Sequence, residues 1–104
     1  MRSEIAFFQW EQGQRRLQTV PAAQRRAFER VCERIVDELR RRLGGAFTSS
    51  ELAELYDTGT DWCLPLAVAT APENPAAWDV SIVADAAFAR YAREAVDFAG
   101  GRRR

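Results

Sequence analysis

Apolar residues recur every three or four positions between residues 21 and 45, which is the spacing of one face of an α-helix. These apolar positions are Phe28, Val31, Cys32, Ile35, Val36, Leu39 and Leu43. The opposite positions are charged and comprise Arg25, Arg26, Glu29, Arg30, Glu33, Arg34, Asp37, Arg40 and Arg41. Pro21 suits a first helical turn, and Gly44 and Gly45 suit the turn that ends a helix. The pattern predicts one long amphipathic helix over residues 21–45, whose apolar face needs a partner surface.

A second long helix is predicted over residues 75–99. Asn74 is a suitable N-cap and Pro75 suits the first turn, whereas Gly100 and Gly101 suit the end. Its apolar stripe consists of Val80, Val83, Ala84, Ala87, Tyr91, Ala95 and Phe98, with Phe88 beside it. The many alanines of this stripe would let a neighbouring helix approach closely.

Two shorter helices are predicted between the long ones, over residues 46–58 and 60–70. Thr48 and Glu51 have the spacing of a capping box, in which side chains and backbone exchange hydrogen bonds at a helix start. In the second short helix, Pro65 must lie in the first turn to be tolerated. This helix is apolar nearly all round, so we expect it to be buried. Its large apolar residues are Trp62, Leu64, Leu66 and Val68.

The N-terminal segment, residues 3–18, is rich in large apolar side chains but lacks a clear stripe. A helix is favoured, and a short strand over residues 5–10 is the alternative. Gly13 would weaken such a helix by about 1 kcal/mol relative to alanine. Its large apolar residues are Ile5, Phe7, Phe8 and Trp10. They either fold back on the long helix or form an interaction segment for another chain.

These elements predict an all-α fold, a small helical bundle with two long helices, two shorter helices and an N-terminal aromatic segment. The length of 104 residues suits a single domain, which we place at residues 1–101, followed by a basic tail at residues 102–104. No apolar run reaches the length of a membrane span, and the N-terminus lacks the pattern of an export signal. We therefore expect a cytoplasmic protein with no membrane contact.

The charges are unevenly distributed although the formal net charge is zero. Residues 1–45 carry ten arginines and six acids, whereas residues 46–101 carry two arginines and nine acids. The basic and acidic elements either face each other or form a dipolar surface that attracts a charged partner or a second copy. All fifteen basic residues are arginine, which favours planar recognition of carboxylates or phosphates. A GC-rich bacterial genome is the simpler explanation of that composition.

The chain carries little of the chemistry that enzymes use. It has no histidine, the commonest general base. Acids that lie close on one helix have no evident base, nucleophile or metal partner on a second element. Cys32 and Cys63 are interpreted as buried free thiols, and a disulfide or redox pair is the alternative. We therefore expect no enzymatic activity, no metal and no cofactor.

The leading functional hypothesis is a non-enzymatic protein–protein interaction module that binds a larger protein or a second copy of itself, so we expect a dimer. The candidate partner-binding residues are Phe7, Phe8, Trp10, Arg15 and Arg16. The alternative is a nucleic-acid-associated protein that uses an arginine-rich face, which arginines segregated from acids would favour. An open pocket lined by paired acids would favour an enzyme, the third hypothesis.

Overall fold

The computed structural model describes residues 2–44, 47–71 and 80–94, with side chains from Ala6 onward. Within these ranges the chain is all-α and forms a small helical bundle. Its helices are α1 (Arg2–Leu17), α2 (Ala22–Leu43), α3 (Ser49–Thr58), α4 (Cys63–Thr70) and α5 (Val80–Glu94). Residues 5–10 are helical as part of α1, so the alternative of a strand over these residues is wrong. None of the described helices is long and apolar enough to cross a membrane.

Helix α2 follows the predicted pattern closely. Six of the seven predicted stripe positions are buried, and Leu43 packs partly buried against the core. The carbonyl of Pro21 accepts hydrogen bonds from the N–H groups of Gln24 and Arg25, so Pro21 precedes the first turn. Gly44 ends the helix with a φ of 68°, a backbone conformation that favours glycine.

Side-chain contacts connect the C-terminal end of α2 with the segment that leads into α4. Glu38 is buried and accepts hydrogen bonds from Arg41 and Arg42, which lower the pKa of its carboxyl group. The guanidinium of Arg42 also lies 4.6 Å from the ring centroid of Trp62. Arg42 therefore links two elements, because one side chain satisfies a buried acid and covers an aromatic ring.

Helices α1 and α5 are packed unusually closely and run in opposite directions. Glu11 binds Arg93, and Gln14 binds Arg90, so residue numbers rise along α1 as they fall along α5. A Cβ atom on Gly13 would lie 2.3 Å from the Cβ of its neighbour on α5. Glycine at this position is therefore explained by the approach of α5, although it weakens α1 as an isolated helix.

Helix α3 begins with the predicted capping box. The N–H of Glu51 donates to the Thr48 hydroxyl at 3.1 Å, and the Thr48 N–H donates to the Glu51 carboxylate at 2.8 Å. Tyr56, on the last turns of this helix, has its ring centroid 5.6 Å from that of Trp10 and 5.1 Å from that of Phe88. These rings form the aromatic centre of the core, to which three helices contribute.

Helix α4 differs from the expectation that it is buried all round. Cys63 and Ala67 face the core, but Leu64 is 51% exposed and Val68 is 40% exposed. The helix packs mainly on α2 and α5, so only one side of it is covered. Pro65 occupies the first turn, as predicted.

Helix α5 is buried over a wider arc than its predicted stripe. Phe88, which was expected to flank the stripe, is fully buried, and so are small residues on either side of it. The cause is the close approach of α1, which covers a face that the apolar pattern left open. The predicted features at Gly45, 72–79 and 95–104, including Asn74, Pro75, Ala95, Phe98 and the basic tail, lie outside the described residues.

Candidate functional site

The aromatic residues predicted to bind a partner lie on different sides of α1. Trp10 is fully buried, with its ring centroid 5.2 Å from that of Phe88, whereas Phe8 is 63% exposed. Phe7 is partly buried against the core. At about 100° per residue, positions 8 and 10 lie on nearly opposite sides of the helix. Trp10 is therefore a core residue, which removes it from the surface where we expected a partner.

The outer face of α1 brings together an aromatic ring and positive charge. Arg15 follows Phe8 by seven residues, so it lies on the same face about 10 Å further along the helix. Arg15 and Arg16 are both exposed. Three of the predicted partner-binding residues therefore remain accessible on the described chain, namely Phe8, Arg15 and Arg16.

The exposed side of α4 is a second surface, which the sequence analysis missed. It consists of Leu64, Pro65, Val68 and Ala69, all of them exposed. Residues 63–70 contain no charged side chain, so no ionic group interrupts this surface. We call these four residues the α4 apolar face. Exposed apolar side chains that are contiguous on one helix are typical of binding surfaces.

The charged side of α2 borders an open groove with a volume of about 490 Å³. Its lining consists of Arg26, Glu29, Arg30, Glu33, Arg34, Asp37 and Thr70. Thr70 is the last residue of α4, so the groove lies between α4 and the outer face of α2. Both acids and arginines line the groove, so it is neither a purely basic nor a purely acidic surface.

The acids of this groove are already bound to arginines of the same chain. Arg90 lies 2.8 Å from a Glu29 carboxylate oxygen and 3.6 Å from one of Glu33, and Arg40 lies 2.7 Å from Asp37. The groove is therefore an open pocket lined by acids, the arrangement that would favour an enzyme, and each of its three acids is paired with an arginine of the same chain.

Arg90 is also a neighbour of Cys32, one of the two cysteines. Burial raises the pKa of the Cys32 thiol to about 12, although the neighbouring Arg90 opposes that shift. Burial likewise raises the pKa of Cys63 to about 12. Both residues are free thiols, as predicted, and no disulfide joins them. Because the thiolate is the reactive form, the raised pKa values lower the reactivity of both thiols at neutral pH.

A buried acid on α5 forms a polar contact within the aromatic core. Asp85 is buried and accepts a hydrogen bond from the Tyr56 hydroxyl, which in turn accepts one from Gln9 at 3.2 Å. Burial and the neighbouring carboxylate raise the pKa of Tyr56, so its hydroxyl remains a donor. This contact joins three helices, and its position at the Gly13 crossing indicates a structural role.

Among the described residues, no group of cysteines and acids has the arrangement of a metal site. Comparison with protein-family models, with curated proteins and with solved structures found no match for this chain. The surfaces above are therefore the basis for inferring function.

Proposed function

We propose that this protein is a non-enzymatic interaction module that binds an apolar surface of a larger protein through the α4 apolar face. The observation that carries the proposal is the exposure of Leu64 and Val68 on a helix without charge. A solvated helix face normally carries polar side chains, because the removal of apolar side chains from water lowers the free energy.

The arrangement of α4 supports a binding surface of fixed shape. Its opposite side is anchored by Cys63 and Ala67, both buried in the core. A partner would therefore meet a helix that is already ordered, which lowers the entropic cost of binding. Phe8 provides a second exposed apolar contact, on α1, and aromatic residues often dominate binding energy.

The experiment is a pull-down from cells of the source organism, followed by mass spectrometry. The test variant is Leu64→Glu, and the matched control is Ser50→Glu. Each site is the exposed second residue of its helix, where an acid is favourable for the helix itself. Both variants should therefore remain folded, which circular dichroism would check.

We expect the wild-type protein and Ser50→Glu to retain the same partner, and Leu64→Glu to lose it. A charge in the centre of an apolar contact must be desolvated, which opposes binding strongly. Retention of every specific partner by folded Leu64→Glu would contradict the role of the α4 apolar face. A Phe8→Gln variant would show in the same experiment whether α1 contributes.

A further inference from the structure

The outer face of α2 carries two rows of like charge. Arg26, Arg30 and Arg34 follow one another at four-residue spacing and form what we call the basic ridge. The acidic ridge, at the same spacing, consists of Glu29, Glu33 and Asp37. All six side chains line the groove beside α4. Of the two acids bound by Arg90, Glu33 is the more exposed, with 66% of its side chain accessible to solvent.

This pattern gives a solvated helix less support than acid-before-base pairs at four-residue spacing would. Like charges at four-residue spacing repel each other, whereas a solvated helix is favoured by an acid four residues before a base. Here each four-residue step repeats a charge, and opposite charges are three residues apart with the arginine first. Arg90 and Arg40 neutralise part of the acidic row. The two adjacent rows are also complementary to a surface that carries the same two rows in the opposite order.

We propose that this face of α2 binds the same face of a second copy of the chain, about a two-fold axis that lies along the boundary between the two ridges. Rows at four-residue spacing run at about 26° to a helix axis, so helices aligned by these rows cross at about 50°, a common packing angle. Rotation about this axis places the basic ridge of one copy on the acidic ridge of the other.

The register follows from helix geometry alone. Arg26 faces Glu29 of the second copy, Arg30 faces Glu33 of the second copy, and Arg34 faces Asp37 of the second copy. Because the interface is isologous, each of these ion pairs occurs twice. If the two α2 helices lay parallel, with no crossing angle, the basic ridge of one copy would meet the acidic ridge of the other over only part of its length.

The contact is expected to be weak and to depend on salt. Its ion pairs are exposed, and the acids are shared with Arg90 and Arg40 of their own chain. The arginines that line the groove also have long aliphatic stems, which can add apolar contact with the second copy. This interface uses neither the α4 apolar face nor Phe8, so it can be tested independently of the proposed function.

The test uses charge reversal at the centre of the ridges, Arg30→Glu and Glu33→Arg. In a homodimer of either variant, like charges meet at positions 30 and 33. In a one-to-one mixture of the two, the acids at both positions of one chain face the arginines of the other, which restores both contacts. Sedimentation velocity at low and at 1 M salt would measure association, and circular dichroism would confirm that each chain is folded.

We expect the wild-type protein to form a dimer at low salt that dissociates at 1 M salt, each single variant to be monomeric, and the mixture to dimerise. The control Glu54→Arg makes the same charge change as Glu33→Arg at an exposed position of α3 and should retain the dimer. A wild-type monomer at high protein concentration, a dimer unaffected by Arg30→Glu, or folded variants that fail to associate when mixed would overturn the proposal.

Discussion

The close crossing of α1 and α5 offers a sharp test of the packing, through the substitution Gly13→Ala. The added Cβ atom would lie 2.3 Å from the Asp85 Cβ, 3.2 Å from the Ile82 carbonyl oxygen and 3.3 Å from the Ala86 nitrogen. Favourable contact between carbon atoms occurs at about 3.5–4.0 Å. Two of the three obstructing atoms belong to the α5 backbone, so a change of side-chain rotamer cannot relieve the contact.

The expected change in stability is the difference between two opposing effects. Alanine stabilises the α1 helix itself by about 1 kcal/mol relative to glycine. Overpacking a close contact costs about 1–3 kcal/mol. Because the added Cβ atom of Gly13→Ala would clash with backbone atoms, we expect a cost at the upper end of that range. Separation of α1 from α5 would also loosen the contact between Trp10 and Phe88. We therefore expect a net loss of about 1–2 kcal/mol in the free energy of unfolding.

Urea unfolding followed by circular dichroism would measure this loss, with Gly59→Ala as the matched control. A Cβ atom on Gly59 would meet its nearest neighbours at 3.6 and 3.7 Å, which is ordinary contact. We expect that variant to lie within about 0.5 kcal/mol of the wild type. A Gly13→Ala protein as stable as the wild type, or more stable, would refute the close packing of α1 on α5.

Further predictions concern the core, the thiols and the alternative function. Tyr56→Phe removes a hydrogen-bond donor from buried Asp85 and should lower the free energy of unfolding by about 1–3 kcal/mol; a neutral result in urea unfolding would contradict that contact. Ile35→Ala, at a fully buried position, should cost about 2–5 kcal/mol in the same assay, and a loss below about 1 kcal/mol would argue against the packing of α2. The pKa values of Cys32 and Cys63 are raised in the folded state from 9.0 to about 12, so the folded state keeps its protons where the unfolded state loses them. The contribution of the two thiols to stability should therefore be constant below about pH 9 and fall as the pH rises towards 12, by roughly 1 kcal/mol per pH unit for each thiol, which urea unfolding at pH 8 and pH 10.5 would show. Binding to DNA or RNA, measured by fluorescence anisotropy, should be weak and should decrease steeply with salt; sequence-specific binding at high salt would contradict the interaction-module proposal.

Local features of the fold could be predicted because their determinants lie a few residues apart. The capping box of Thr48 and Glu51 and the end of α2 at Gly44 are examples. The buried face of α2 was predicted as well, because its apolar residues repeat with the period of the helix. The burial of both cysteines followed from their apolar neighbours.

The candidate surfaces were predictable only in part. Phe8, Arg15 and Arg16 are exposed, and their binding of a partner stays a prediction. Trp10 is buried instead, which the N-terminal segment could not indicate because it has no clean stripe. A segment with large apolar groups on several sides does not reveal which side is covered. That depends on α3 and α5, which supply the rings of Tyr56 and Phe88 around Trp10.

By itself, the sequence determined the helical class, the two faces of α2 and the charge pattern from which a paired copy is inferred. These properties depend on periodicity and on short-range hydrogen bonds, which are present in any window of the chain. Only the tertiary structure decided that Asp85 is buried, that Gly13 marks a helix crossing and that α4 leaves Leu64 exposed. Each of these depends on which helix lies against which face, and elements distant in sequence set that arrangement through packing.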